Sequence, residues 1–433
     1  MVQTVKKPTA FNMWLLTTMF AFIQFFLQII YSAMSDQIML EFNIDATQTG
    51  LLSSSFFYIF IALQIPAGIL LDKFHIKWVI TIATAICGLG CIVFGLAPNI
   101  HVAVIGRVLM GMGGTFGFLG MIKVVRLWYK KNQFSLMVGI SELLANLAAA
   151  LGIGIATYFV VRFGWRGNMV VFGCLVWFLS ILSFYFLEQP ERSKKLRSYN
   201  LSIIKQIIFV TRKPQCWLVC LYAITTGSIM NAFCALWGLP FLTGLYGITH
   251  EMAGVGIAIV FIGMAVGCPI IGAIVNEFGK VRLIMMVSTA ICSIIMLFII
   301  FPIFHYTKEW IYLLMFLLGL FGSCYFLAYE KMKHIYHESV QGIAMAVCNM
   351  SLMAGALIFQ PLIGFILQSS VPQGVKHPDS QYTGHEYQMA MITMIILLII
   401  SFIISYFIKT KDEMPKPKKF KFPIKIKKII KIK

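Results

Sequence analysis

The chain has 433 residues, of which 59% are hydrophobic and only 12% are charged. Soluble domains carry about a quarter charged residues, so this composition excludes an ordinary soluble protein and indicates an integral membrane protein. The formal net charge of +19 does not indicate a nucleic-acid-binding protein, because 11 of the 35 Lys and Arg residues follow residue 408. We expect that tail to lie against anionic lipid headgroups or to be disordered.

Apolar runs long enough to cross a bilayer as helices occur twelve times along the chain. Six spans are predicted at 13–34, 48–71, 78–97, 102–122, 136–160 and 168–187, and six more at 214–240, 252–275, 283–303, 309–329, 340–367 and 388–408. The predicted fold is therefore an all-α integral membrane protein with twelve transmembrane helices in two six-helix bundles, residues 1–187 and 214–408. Residues 188–213 are predicted to form a charged cytoplasmic linker with no fold of its own, and 409–433 a basic cytoplasmic tail.

Basic residues predict the orientation, because short translocated loops are poor in Lys and Arg. With both termini in the cytoplasm, the external loops hold only four of these residues: Arg162, Arg166, Lys308 and Lys376. We therefore expect a multi-pass protein of the inner (cytoplasmic) membrane with both termini cytoplasmic.

The cysteines predict neither disulfides nor a metal site, because all ten fall inside apolar runs, where they act as small hydrophobes. The sequence also lacks a nucleophile–base constellation and a phosphate-binding loop. We expect a protein that is not an enzyme and that has no cofactor and no metal.

A charged segment between the second and third spans has a weaker copy about two hundred residues later. The first copy holds Gly68, Asp72, Lys73 and Lys77, and the second holds Gly272, Asn276, Lys280 and Arg282. In both copies the acid or the amide follows the glycine by four positions. This repeat indicates a duplicated bundle.

The first copy resembles the signature Gly-x-Leu-x-Asp-Arg-x-Gly-Arg of the major facilitator superfamily, and the resemblance extends over almost the whole chain. His75 and Ile76 stand where the signature has Gly and Arg. Two later segments, Gly342 to Asn349 and Gln360 to Gly364, resemble the eleventh span of bacterial metabolite and organic-anion members. The resemblance implies two bundles related by a pseudo-two-fold axis, a monomer, a bacterial membrane and transport by alternating access.

The resemblance also implies a central cavity lined by the first, fourth, seventh and tenth spans, and polar side chains in these spans are candidates for substrate binding. In the first span the candidates share one helical face by their i, i+4, i+7 spacing. The candidates are Gln24, Gln28, Tyr31, Arg107, Asn231, Trp237, Tyr325 and Tyr329, together with Asn349 of the eleventh span. Hydrogen bonding between helices is the alternative role for each of them, and for Arg107 a purely structural role.

Ionisable groups inside a membrane are costly, so they are candidates for proton coupling. Glu142 lies well inside the fifth span, and Lys123 closes the fourth span at a similar depth. The two residues form either a proton site or an ion pair that fixes adjacent helices. Asp36, just past the first span, either faces the cavity or is a solvated helix end.

The two charged copies are predicted to gate the cavity. Asp72 beside Lys73 and Lys77 suggests a cytoplasmic latch between the halves, and the second copy, with Asn276, is its weakened form. The alternative is that these cations only enforce the orientation.

Together these features predict a secondary active transporter that takes up a small polar or anionic metabolite with H⁺, and whose partners are that metabolite and membrane lipids. Drug antiporters of the superfamily carry Gly-Pro-x-x-Gly-Gly late in the fifth span, where this chain has Ala148 to Gly154. That difference favours uptake. The alternatives are efflux of a drug or siderophore and a transporter-like membrane sensor.

Overall fold

The computed structural model describes residues 9–130, 133–190, 203–303, 307–371 and 382–409. Within these ranges the regular elements are helices, and twelve of them are long. They are α1 (Ala10–Ala33), α2 (Ala46–Lys73), α3 (Ile76–Gly95), α4 (Ile100–Trp128), α5 (134–163), α6 (165–186), α7 (Pro214–Tyr246), α8 (His250–Phe278), α9 (Val281–Ile300), α10 (Lys308–Ile335), α11 (Glu338–Ser369) and α12 (Gly384–Phe407).

The predicted fold class is confirmed, and three connections between the long helices are helical in part. α5 and α6 form one continuous helical stretch, Phe134–Phe186, that is broken only at Gly164, whose φ of 71° lies in the left-handed region. The short helix Ile203–Thr211 lies inside the predicted linker. A second short helix, Ser35–Phe42, connects α1 to α2.

Side-chain caps fix where several helices begin. Asp45 and Gln48 form a reciprocal capping box at the start of α2, and Thr383 and Glu386 form one at the start of α12. The Asn99 side chain accepts a hydrogen bond from the Val102 N–H at the start of α4. Each cap satisfies amides that the first helical turn leaves without partners.

Because the long helices number twelve within the described residues, the start of α1 and the end of α12 lie at one face of the bundle. We call the face where α1 begins and α12 ends the proximal face, and the face where α1 ends and α2 begins the distal face. We call α1–α6 the N-terminal half and α7–α12 the C-terminal half.

Glycines allow the helices of each half to pack closely. A Cβ atom at Gly106 of α4 would lie 2.7 Å from the backbone nitrogen of Phe94 in α3, and one at Gly319 of α10 would lie 1.9 Å from the Val260 oxygen in α8. Neither distance can accommodate a larger residue without movement of a helix.

Three of the four helices that were predicted to line a cavity depart from α-helical geometry. α1 ends in a 3₁₀ turn, Ile30–Ala33, and α10 contains another, Ser323–Phe326. α7 contains a π-helical segment, Ile229–Trp237. Such irregular turns occur preferentially at functional sites and hinges, so this geometry marks the interior of the bundle as the candidate site.

Candidate functional site between the two halves

The two halves meet closely at the distal face. A Cβ atom on Gly50 of α2 would lie 2.6 Å from the Gln360 oxygen in α11, and one on Gly364 of α11 would lie 2.3 Å from the Ala46 oxygen in α2. At the α5–α8 contact, a Cβ atom on Gly254 would lie 2.6 Å from the Thr157 hydroxyl. The distal end of the interface is therefore closed by direct contact between helices.

Two polar contacts accompany this closure. The Ala46 N–H donates to the Tyr382 hydroxyl at 3.0 Å, and that hydroxyl donates to the Gln368 side chain. His250 Nε2 of the C-terminal half lies 3.5 Å from Asp36 Oδ2 of the N-terminal half. Burial raises the pKa of the Asp36 carboxyl, and the neighbouring His250 and Ser35 lower it in part. The structure thus places the candidate proton site Asp36 at the contact between the halves.

The proximal face carries the signature residues. Asp72 accepts a hydrogen bond from Arg126 at 3.4 Å, but both residues belong to the N-terminal half and their side chains are 60% and 59% exposed. A Cβ atom on Gly68 would meet nothing within 4 Å. Lys73 is exposed, and the Lys77 ammonium lies 4.9 Å from the centre of the Phe184 ring. In this conformation these contacts stay inside one half.

The second copy of the signature also lies at the proximal face. Gly272 has only the Phe326 ring near its Cβ position, at 4.0 Å. Lys280 is exposed and Arg282 is half-buried at the start of α9. The side chain of Asn276 lies outside the described residues.

Arg107 is held by the helices around it. Its guanidinium donates to the Leu27 carbonyl of α1 at 3.1 Å and to the Ser53 carbonyl of α2 at 2.8 Å. It also lies 5.3 Å from the centre of the Tyr31 ring and is 1% exposed. Arg107 therefore ties α4 to α1 and α2, while its Nε has no partner among the described residues.

The polar stripe of α1 is buried. Gln24 Oε1 accepts a hydrogen bond from the Phe118 N–H of α4 at 2.9 Å, which joins the two helices. Gln28 Nε2 and the Tyr31 hydroxyl have no partner among the described residues. Buried polar atoms are almost always hydrogen-bonded, so these two atoms indicate groups that meet water or a ligand in another state.

Asn231 and Trp237 connect α7 to α11 within the C-terminal half. The Asn231 amide donates to the Leu352 carbonyl at 2.8 Å, and the Trp237 indole donates to the Gln360 carbonyl at 2.9 Å. Gln360 in turn donates to the Asn231 carbonyl at 2.7 Å. In this conformation both candidates use their side-chain donors for helix–helix contacts.

The candidates of α10 and α11 lie nearer the proximal face. The Tyr329 hydroxyl donates to Asn349 Oδ1 at 2.8 Å, and Tyr325 and Tyr329 are both half-buried. Lys123 of α4 is 7% exposed and is attracted by the charge of Asp72. Glu142 lies on α5, and its side chain is outside the described residues.

Three residues of the interface were missing from the predicted set. Gln360 lies in a segment that was singled out by its resemblance to the eleventh span of the family. Nothing in the sequence predicted that its carbonyl and its side-chain amide would form hydrogen bonds with α7. His250 directly follows the capping residue Thr249, which predicts a helix start and nothing about Asp36. Tyr382 follows a polar stretch of the sequence, in which no hydrophobic periodicity predicts a contact.

Known proteins share both the sequence pattern and the fold. A family model described as Major Facilitator Superfamily matches residues 14–245 and 219–432. The uncharacterized transporter YybO of Bacillus subtilis (strain 168) is 24% identical over 58% of this chain and 57% of its own. The probable sulfoacetate transporter SauU of Cupriavidus necator is 27% identical over 38% of each chain. The aligned part thus spans less than two thirds of each of these relatives.

Among solved structures, a bacterial homologue of the human lysosomal transporter Spinster, in an inward-facing and occupied conformation, superposes with a TM-score of 0.72. The superposition covers 95% of this chain and 99% of the other, at 14% sequence identity. At that identity the likeness describes the fold alone.

Proposed function

Because the chain belongs to the Major Facilitator Superfamily, we propose that it is a secondary active transporter that takes up a small polar or anionic metabolite with H⁺. The two six-helix halves rock against each other, so that a site near the membrane midplane faces one side and then the other. The apolar helices make it a multi-pass membrane protein. We place it in the bacterial inner membrane with the proximal face in the cytoplasm, following the distribution of Lys and Arg.

The contrast between the two faces carries this proposal. At the distal face, α2 and α11 touch through Gly50 and Gly364. At the proximal face, Asp72 and Arg126 remain exposed and pair only within their own half. A bundle whose halves touch at one end, while Asp72 and Arg126 at the other end pair within one half, supports one of the two states that alternating access requires.

The substrate class rests on the donors inside the bundle. Gln28 Nε2, the Tyr31 hydroxyl and Arg107 Nε are buried donors without partners among the described residues. Donors of this kind suit carboxylate, sulfonate or carbonyl oxygens, and Arg107 adds a positive charge. The relative named as a probable sulfoacetate transporter agrees with an anionic metabolite.

Proton coupling rests on Glu142 and Asp36, with Lys123 as a charge that opposes proton binding nearby. Asp36 contacts the other half in the closed distal state, so its environment changes when the halves separate. A carboxyl whose surroundings alternate between buried and wet changes its proton affinity, and this change links proton binding to conformation.

The proximal signature acts in the opposite state. Asp72, Lys73 and Lys77 would then engage the C-terminal half and close the cytoplasmic side, and Gly68, with open space at its Cβ position, allows the approach. Gly272, Lys280 and Arg282 form the matching but weaker surface, where Asn276 replaces the acid.

Uptake into proteoliposomes tests the proposal. Candidate metabolites are first chosen by thermal shift of the purified protein, because a ligand that binds only the folded state raises its melting temperature. A metabolite that stabilises the protein should then accumulate when the lumen is alkaline relative to the outside. Folded protein that accumulates no stabilising metabolite, with or without a pH gradient, contradicts the proposal.

Two variants separate coupling from transport. Glu142→Gln and Asp36→Asn should each reduce uptake driven by the pH gradient while leaving exchange across equal pH. Gradient-driven uptake that survives in both variants rules out these acids as coupling sites. Export of the metabolite against its gradient would instead favour the efflux alternative.

A further inference from the structure

The hydroxyl of Tyr382 adds an acceptor at the start of α2, beside the capping box of Asp45 and Gln48. Ala46 is the first residue of α2, and the first amides of a helix have no acceptor within the helix. The Ala46 N–H donates to Tyr382 of the other half at 3.0 Å, and the Tyr382 side chain is largely buried. One tyrosine hydroxyl therefore joins the start of α2 to Gln368 at the end of α11.

A second contact joins the halves on the α8 side of the same face. Asp36 lies in the first turn of the short helix Ser35–Phe42, and His250 is the first residue of α8. Their side chains are 24% and 27% exposed. Because they are largely shielded from solvent, solvent competes less for this contact than for one at the surface.

The interior of the bundle contains buried polar atoms that form no hydrogen bond within the described residues. The Tyr31 hydroxyl, Gln28 Nε2 and Gln360 Oε1 are buried without partners among the described residues. A buried polar atom without a hydrogen bond loses the free energy of its contact with water. In the closed distal state these atoms carry that cost, which contacts between the halves at this face help to offset.

We propose that Tyr382–Ala46 and Asp36–His250 form a releasable two-point clasp that holds the distal face closed against this unfavourable interior. Three of its four residues lie in the first turns of helices, and Tyr382 lies just before the first turn of α12, so the clasp acts at the helix ends of the distal face. Its strength sets the fraction of molecules that are closed at the distal face. Its part in transport rests on the proposed function, whereas the closure itself is measured without a substrate.

Hydrogen–deuterium exchange of the full-length protein in lipid nanodiscs measures the first point. In Tyr382→Phe, the peptide that contains Ala46 should exchange faster by a factor of about five, since one hydrogen bond is lost. The peptide that contains Gln368 should change in the same direction. Tyr246→Phe is the matched control, because the Tyr246 hydroxyl donates to the Ile299 carbonyl within the C-terminal half.

Asp36→Asn tests the second point, with Glu41→Gln as its control. Both acids lie on the short helix Ser35–Phe42, but Glu41 accepts hydrogen bonds from Trp165 and Arg166 of its own half. Asp36→Asn should speed exchange at the start of α8 and at the start of α2. The double variant with Tyr382→Phe should exceed either single variant.

Unchanged exchange at Ala46 in Tyr382→Phe, or an equal rise in Tyr246→Phe, overturns the clasp. Unchanged exchange in Asp36→Asn, or an equal rise in Glu41→Gln, overturns its second point. If exchange rises as expected but no variant and no native protein transports a metabolite, the clasp stands and the proposed transport fails. The two proposals are thus separable in one set of samples.

Discussion

The distal and proximal faces are held by different kinds of contact. At the distal face, glycine backbones touch and polar contacts such as Asp36–His250 join the two halves. At the proximal face, the ion pair Asp72–Arg126 is more than half exposed and belongs to one half. Contacts between buried backbones are sensitive to a single methyl group, whereas exposed ion pairs contribute at most about 1 kcal/mol and depend on salt.

This difference teaches which substitutions affect the fold and which affect the balance between states. The helices of each half are fastened by buried contacts that do not change when the halves move. The contacts between the halves, such as Gly50 with Gln360 and Gly364 with Ala46, are the ones that must change when the halves move. Three substitutions, taken from the largest to the smallest expected effect, separate these levels.

Arg107→Met should have the largest effect on stability. Arg107 holds α1 and α2 through two charge-assisted hydrogen bonds inside the N-terminal half. Their loss should lower the free energy of unfolding by roughly 3 kcal/mol, and Arg107→Lys should recover part of it. Thermal denaturation in detergent measures the change.

Arg162→Met is the control for this variant, because Arg162 is exposed and its guanidinium lies 3.7 Å from the centre of the Tyr158 ring of its own helix. We expect little change from it. A loss in Arg107→Met no larger than that in the control would mean that Arg107 is free to serve the substrate alone.

Gly364→Ala should affect the balance between states more than the fold. Its new methyl group would lie 2.3 Å from the Ala46 oxygen in the closed distal state. Overpacking of this kind costs about 1–3 kcal/mol, so the population of the closed state relative to the open state should fall by roughly five- to 150-fold. Hydrogen–deuterium exchange at the start of α2 should rise and uptake should fall.

Gly154→Ala in α5 is the matched control, because a Cβ atom there meets nothing within 4 Å. It should leave both exchange and uptake unchanged. Equal behaviour of the two variants would show that helix propensity, and not the contact with α2, governs the result.

The sequence predicted the helices better than it predicted the site. Lengths of apolar runs gave twelve spans, because the bilayer thickness sets the length of a helix that crosses it. The repeated glycine and acid placed Asp72 at a helix end, where the structure has it. These properties are local, so the order of residues alone determines them.

The contacts between distant segments could not be predicted in this way. The pairs Tyr382–Ala46 and Asp36–His250 join segments more than two hundred residues apart, and no spacing rule connects them. The π-helical segment Ile229–Trp237 was also unpredicted, because its apolar pattern is compatible with a regular helix. Both features depend on how the two halves pack. The hydrophobic periodicity of a single sequence does not specify that packing.

Asp72→Asn should have the smallest effect on stability and is the sharpest test of the proximal face. Its ion pair with Arg126 is exposed, so the free energy of unfolding should change by less than about 1 kcal/mol. If the proximal latch forms in the opposite state, the variant should still favour the state seen here, with more exchange at the proximal ends of α2 and α4. Raising the salt concentration should reduce the difference from the native protein, because it screens the same charges.

Glu330→Gln is the control, since Glu330 pairs with Lys333 and His334 within the C-terminal half. An equal change of exchange in both variants would mean that the loss of any negative charge at the proximal face has the same effect. It would contradict a special role of Asp72.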